Sequence, residues 1–332
     1  MMNSEFAFIR SIMPARLFHK DVIQGIGDDA ALLRSDDKYE LAVACDMLVE
    51  DVHFKKTTLS PYDIGYKSLA VNLSDLAAMG AIPKFYLISI AIPKIGWTVS
   101  EMQEIYRGMN ELAEKFQLDL VGGDTVSTKH SLVISVTVIG QVEKKRHLLR
   151  SNAKHGDIVF VTGHLGASAA GLSILQKKGR NHSYREEELR LVQAHQRPHP
   201  QIDAGRLLAQ LNFRIALNDI SDGIANEAFE IAEASEKRLV LDDDKIPKHP
   251  DLRLFTDDEI ESFVLYGGED FQLLGCVAEK NWTSVKQAFE QADIPIAKIG
   301  HVEDGEPAVY LKKNGNVNKL EQRGYDHFKN HE

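Results

Sequence analysis

Residues 64–83 read IGYKSLAVNLSDLAAMGAIP, and the fold turns on this stretch. From 62 to 80 the small residues Ser68, Ala70, Ala77 and Ala78 are spread among apolar ones. This predicts a helix that packs closely against a sheet. Apolar runs flank it. Residues 40–49, ELAVACDMLV, predict a buried strand that ends near an acid, and 85–92 predict a second strand, closed by Pro93. Residues 100–116 carry Met102, Ile105, Met109, Leu112 and Phe116 at helical spacing. There follow 118–121, a Gly122-Gly123 turn and a strand at 132–142. The charged run 143–147 marks a boundary, which gives two expected domains, 1–145 and 146–332.

The second half repeats the mixture. DIVFVT (157–162) predicts a strand that leads through Gly163-His164-Leu165-Gly166 into a small-residue helix at 167–176. A short strand at 212–217 precedes NDISDG (218–223) and a helix at 224–235. Gly267-Gly268-Glu269-Asp270 stands before a strand at 271–277. Gly122-Gly123-Asp124 and Gly267-Gly268-Glu269 hint at an ancient internal repeat. The expected fold class is α/β (α+β) in two domains.

Composition narrows the function. The chain has 332 residues, 43% of them hydrophobic, enough for a substantial core. Its formal net charge of -10 argues against a nucleic-acid binder, which presents a basic face. No apolar run is long enough to cross a bilayer, and residues 1–10 lack the pattern of a signal peptide. The two cysteines, Cys45 and Cys276, form no metal motif and suit a reducing compartment, so the expected location is cytoplasmic.

Carboxylates at glycine turns and element ends carry the chemistry: Asp28 and Asp29 in GIGDDA, Asp46 in ACDML, Asp75 in NLSDLAAMG, Asp124 in GGDT, and Asp219 and Asp222 in NDISDG. Each alone has a plain structural role open to it. Asp28 or Asp29 would cap a turn, and Asp222 would be the N-cap of the following helix. Asp75 is different, because Val71, Leu73, Leu76 and Met79 surround it. A buried acid there must be paired, protonated or metal-bound. Convergence of the set would suit several Mg²⁺ ions on a polyphosphate, and so phosphoryl transfer. There is no P-loop and no protein-kinase signature. The amides of Gly163–Gly166 would serve an anion, or simply a tight strand-to-helix turn.

GIGDDAAL (25–32), DMLVEDVHF (46–54), IGYKSLAVNLSDLAAMGAIP (64–83), VGGDTV (121–126), GDIVFVTGHLGASAAGL (156–172), DISDGI (219–224), GGEDFQL (267–273) and GYDHF (324–328) occur in that order. The ordered set resembles the thiamine-monophosphate kinases of the aminoimidazole-ribonucleotide-synthetase-like superfamily, over essentially the whole chain. The resemblance implies a homodimer whose N-terminal sheets form a shared barrel. It also implies direct transfer of the ATP γ-phosphoryl group to thiamine monophosphate, giving thiamine diphosphate and ADP, with no phosphoenzyme and no dedicated general base. By position it implies Asp29, Asp46, Asp75, Asp124, Asp219 and Asp222 as Mg²⁺ ligands, with Asp28 beside them. Gly123, Asp124, Arg150, Ser221 and Tyr106 fall on the nucleotide side, Arg150 as a phosphate contact; helix packing is the other role open to Tyr106. His53, Glu269 and Tyr325 fall on the substrate side.

One feature departs from the family pattern. Hydroxyl residues often precede the strand-end acid, and here Ala44 and Cys45 stand there. A thiol is a poor Mg²⁺ ligand, which leaves the backbone carbonyl of Cys45. The rivals are an amidine-forming ligase or selenide-activating dikinase of the same fold, a metal-dependent phosphatase, and a non-catalytic sensor. The dikinase normally needs a cysteine in a mobile N-terminal segment, and this chain has none before Cys45.

Overall fold

A computed structural model describes residues 19–322. The first sheet contains β1 (Val22–Gln24), β2 (Ala31–Arg34), β3 (Tyr39–Val49), β4 (Ile82–Pro93), β5 (Asp119–Thr128) and β6 (Val133–Glu143), in the order β1-β2-β3-β6-β4-β5. Its pairings are antiparallel except β4 with β5, which the helix Val99–Phe116 connects. A parallel neighbour requires such a crossover. Along β6 burial alternates: Ile134, Val136 and Val138 are fully covered, while the residues between them face the other side and are half-buried. The covered face packs against the helix Pro61–Ala78.

That central helix begins with a capping box between Ser60 and Asp63, with Pro61 in its first turn. It crosses Val99–Phe116 on two glycines. A Cβ at Gly65 would lie 1.8 Å from the Ile105 carbonyl oxygen, and one at Gly108 would lie 2.0 Å from that of Tyr62. No residue but glycine permits this approach. The helix is buried on nearly every side, including Lys67, Ser68, Asn72 and Ser74. Burial of so many polar groups in one helix demands partners, and those partners define the site below.

The second sheet contains β7 (Asp157–Thr162), β8 (Ile215–Asp219), β9 (Arg238–Asp242), β10 (Leu273–Ala278), β11 (Ile296–Glu303), β12 (Ala308–Lys313) and β13 (Asn316–Lys319). Its order is β13-β12-β9-β11-β7-β10-β8. β7 and β8 are buried at every residue, so they read as short apolar runs rather than as alternating patterns. Helices Ala167–Lys178, Glu186–Gln196, Ile202–Gln210, Ile224–Ser235, Asp257–Tyr266 and Glu279–Gln291 complete this half. The core of the first sheet continues into Phe160, Ile202, Leu208, Leu217, Phe271 and Phe289 of the second half. A shared core thus packs the two halves against one another.

Two expectations are corrected. Gly122-Gly123 is not a turn: both residues lie inside β5, opposite Leu87 and Ile88 of β4. The Gly-Gly-Glu at 267–269 lies outside any strand. The two Gly-Gly-acid segments therefore differ in local structure and do not support the internal repeat they hinted at.

Candidate active site

Asp29, Asp75 and Asp219 converge, each offering a ligand atom within 4.8 Å of the other two. Asp29 comes from the turn before β2, Asp75 from the last turn of the central helix, and Asp219 from the end of β8. Asp46, on β3, is near enough to repel both Asp75 and Asp219. Second partners hold these acids in place. The Asp46 N–H donates to Asn72 Oδ1 at 2.8 Å, and the Ser74 hydroxyl donates to Asp219 Oδ2 at 2.5 Å. Burial, then mutual repulsion, drives the Asp75 and Asp219 carboxyls well above the ordinary carboxylate range. Burial also raises Asp29 to about 6, against the pull of Arg150. Asp29 Oδ2 is buried and has no hydrogen-bond partner among the described residues. A buried acceptor without a donor, among repelling carboxylates, is a ligand set that suits a hard cation.

Arg150 closes one side of the cluster. Its Nη2 donates to Asp29, its Nη1 lies 3.0 Å from Glu230 Oε2, and its Nε donates to Asn218 Oδ1 at 3.0 Å. The expected phosphate-contacting arginine thus stands beside the acids, its fork directed at carboxylates. Asp28 is occupied differently, because its oxygens accept the backbone N–H groups of Asp29 (3.1 Å) and Arg150 (3.2 Å). That is the turn-capping role open to it from sequence. Burial, then repulsion by Asp29, raises it to about 7.

The DISDG loop does not use Asp222 as the helix N-cap. Gly223 takes that position, with no side-chain cap. The N–H of Asp222 (2.9 Å) and the hydroxyl of Ser221 (3.2 Å) instead donate to Glu227 Oε1. Glu227 is buried, also receives Asn218 Nδ2 at 2.8 Å, and is driven well above its ordinary range by burial and by Glu230.

The GGED loop folds back onto this one. The N–H of Glu269 donates to the Ser221 carbonyl at 2.7 Å, and that of Phe271 donates to the Ile220 carbonyl at 2.8 Å. A Cβ on Gly268 would stand 2.6 Å from the Ser221 oxygen, so the loops meet backbone to backbone. The Glu269 carboxylate reaches Lys67 Nζ at 2.8 Å and His195 Nδ1 at 3.3 Å. Burial opposes its charge, but the Lys67 ammonium beside it outweighs this and holds it below the usual range. His53, the other expected substrate-side residue, is close enough to act on the same carboxylate. Its Nδ1 accepts the Val49 N–H at 3.0 Å, so the neutral ring carries its proton on Nε2. Asp270 accepts the amides of Gly166 (2.6 Å) and Ser168 (3.0 Å) at the start of Ala167–Lys178. The acceptor for those two amides is therefore the protein's own side chain, not an external ligand.

Other expected residues lie apart within one chain. Gly123 and Asp124 are exposed on β5, the edge strand. Asp46 pairs with Val136, Val136 with Ile88 and Ile88 with Gly123. Three strand spacings thus put Gly123 roughly 14 Å from Asp46 along the sheet. Tyr106 packs half-buried against the first core. The Cys45 thiol is exposed, 3.4 Å from Ser135 Oγ, and strand alternation turns it to the opposite face from Asp46. Tyr325 and the rest of GYDHF lie outside the described residues.

The model "AIR synthase related protein, N-terminal domain" matches residues 27–142, and its C-terminal counterpart matches 154–312. The chain is 48% identical to the thiamine-monophosphate kinase of Bacillus subtilis (strain 168), over 98% of this chain and 99% of that protein. This chain belongs to the thiamine-monophosphate kinase family. The thiamine-monophosphate kinase of Escherichia coli (strain K12) is 35% identical, over 99% of each chain. AaThiL complexed with AMPPCP and TMP superimposes with a TM-score of 0.83 at 33% identity, covering 98% of this chain and 97% of that one. The thiamine-monophosphate kinase of Stenotrophomonas maltophilia K279a gives 0.78 at 34% identity, covering 94% and 98%.

Within this kinase-family site, sequence reading missed Lys67, Asn72, Ser74, His195, Asn218, Glu227 and Glu230. A signal existed for some of them. Lys67, Asn72, Ser74 and Asp75 sit in an otherwise small and apolar helix, and Asn72 and Asp75 share a face at i, i+3. His195 and Glu230 gave none, because only the packing of distant helices brings them to the site.

Proposed function

We propose that this protein transfers the γ-phosphoryl group of ATP to thiamine monophosphate, forming thiamine diphosphate and ADP. The observation that carries the reading is the largely buried Asp29–Asp75–Asp219 cluster, Asp219 fully covered and Asp29 and Asp75 partly so, with its orphaned Asp29 oxygen. It stands in a chain that matches, across nearly its whole length, a kinase solved with the ATP analogue AMPPCP and with TMP. Asp29, Asp46, Asp75, Asp219 and Asp222 would hold Mg²⁺. Bound there, Mg²⁺ supplies charge neutralisation for the polyphosphate.

The remaining work falls to the chain. Arg150 stands at the cluster as the phosphate-side cation, and Asn72 and Ser74 orient Asp46 and Asp219. Ser221 belongs to the nucleotide side, and Glu269, His53 and Tyr325 to the thiamine side. The acceptor is a phosphate oxygen, already ionised at neutral pH, so no side chain must remove a proton from it. Asp28 serves as the brace of the Arg150 backbone rather than as a ligand.

The active species is a homodimer. β5 is a ten-residue edge strand that exposes Leu120, Val121 and Val126, and the uncovered face of its sheet carries Met47 and Phe85. Such an edge and face require cover, and closure into a barrel provides it. An interface built on β5 would bring Gly123 and Asp124 of one protomer into it, the route by which they join a nucleotide site. The protein works in the cytoplasm, where ATP is supplied. The test is an assay with ATP, Mg²⁺ and thiamine monophosphate. Equal yields of thiamine diphosphate and ADP, abolished by chelation, are expected; ADP with free phosphate alone would refute the assignment.

A further inference from the structure

Lys67 is fully buried on the central helix and takes no part in the carboxylate cluster. Its Nζ lies 2.8 Å from Glu269 Oε2 and 3.4 Å from His195 Nε2. His195 is 2% exposed, and its Nδ1 stands 3.3 Å from the same Glu269 oxygen and 3.1 Å from Ser168 Oγ. A lysine donates, so His195 Nε2 is the acceptor and Nδ1 carries the ring proton. The imidazole is then neutral, as its burial and the adjacent ammonium both require. The unit joins the central helix, the helix Glu186–Gln196 and the GGED loop. His53 faces it from the turn after β3, and Asp270 follows within the loop.

Two features argue that this unit is more than a structural brace. A buried ion pair is a poor stabiliser, and apolar residues of similar volume usually serve a core as well. Glu269 is also left-handed at φ 69°, a strained setting for a side chain with a Cβ, and its side chain remains 29% exposed. Lys67 and His195 both approach Oε2, so they fix one edge of a carboxylate that is otherwise part-exposed.

We propose that Lys67 is a positioning residue for substrate recognition: it fixes the Glu269 carboxylate and supplies its counter-charge, with His195 as the brace. Glu269 thereby presents an anionic oxygen to the cationic, amine-bearing heterocycle of the substrate. This rests on the substrate-side reading of Glu269 given above.

Steady-state kinetics of the wild type, Glu269→Gln, Lys67→Met and the double variant test it. Each single change is expected to raise KM for thiamine monophosphate about tenfold or more, the scale of a lost charge-assisted hydrogen bond. KM for ATP should stay within about twofold, and the double variant should be no worse than Glu269→Gln. An unchanged KM for thiamine monophosphate in Lys67→Met, an equal rise for ATP, or multiplied effects in the double variant would overturn the inference. So would an indifferent Glu269→Gln. If Lys67→Met does not fold, the comparison of Glu269→Gln with the double variant, which removes both charges, decides by the same criterion. A wild type that transfers nothing to thiamine monophosphate fails the functional reading itself. That result is distinct from an active enzyme indifferent to Lys67.

Discussion

Asp75→Asn separates the cost of the carboxylate cluster from its use. Two unit charges 4.8 Å apart, the limit for the Asp29, Asp75 and Asp219 ligand atoms, repel by about 3.5 kcal/mol at an effective dielectric of about 20. In Mg²⁺-free protein the carboxyls relieve part of this by keeping protons, as their upward shifts indicate. The recoverable gain on removing one charge is then about 1–2 kcal/mol. For a chain of this size that is a rise of about 1–3 °C in Tm. The sign with pH follows from the raised folded-state pKa. Stability linked to the protonated Asp75 is fully present below the unfolded value of 3.8 and is lost as pH rises through the higher folded value. The advantage of the variant should therefore vanish near pH 4 and grow toward neutrality. Thermal unfolding in EDTA and in Mg²⁺, beside the kinase assay, reads all of this. Wild type should gain Tm with Mg²⁺. The variant should start higher, gain little and turn over no substrate. A variant that is less stable than wild type in EDTA, or that keeps the Mg²⁺ response, would refute the account of the cluster.

Three further outcomes follow from the geometry. Asp270→Ala leaves the amides of Gly166 and Ser168 without their acceptor and should cost about 1–2 kcal/mol in unfolding experiments. Asp270 is raised to about 7 by burial, so its stabilising protonated form is lost between about pH 4 and 7; the variant should lose that part of the pH dependence. Gly108→Ala places a Cβ 2.0 Å from the Tyr62 carbonyl, should cost about 3 kcal/mol or more, and should show as insoluble or early-melting protein. Val126→Asp, on the exposed β5 edge, should yield monomers in sedimentation and lose kinase activity with them.

Much of the architecture was legible because local pattern and tertiary role agreed. The helix Val99–Phe116 buries Ile105, Met109 and Leu112, the stripe its spacing predicts. The central helix was legible from its small residues, and Asp75 from its apolar neighbours. Gly122-Gly123 misled because glycine pairs signal turns, whereas here they ride on a parallel edge strand. Gly163–Gly166 offered amides to an anion, but the sequence did not disclose that Asp270, about a hundred residues later, supplies the acceptor.

By itself, the sequence determined which residue types the chemistry has to hand: acids beside glycines, a helix able to lie against a sheet, and a motif order shared with one kinase family. Only the tertiary structure decided which acids meet. Asp29, Asp75 and Asp219 come from three separated segments, and a common core brings them within 4.8 Å of one another. The same packing paired Lys67 with Glu269 and His195, a contact that no spacing along the chain encodes. The physical reason is reach. Periodicity reports what a residue does within one or two turns of its own element, while a site is a sum of long-range contacts that the core alone selects.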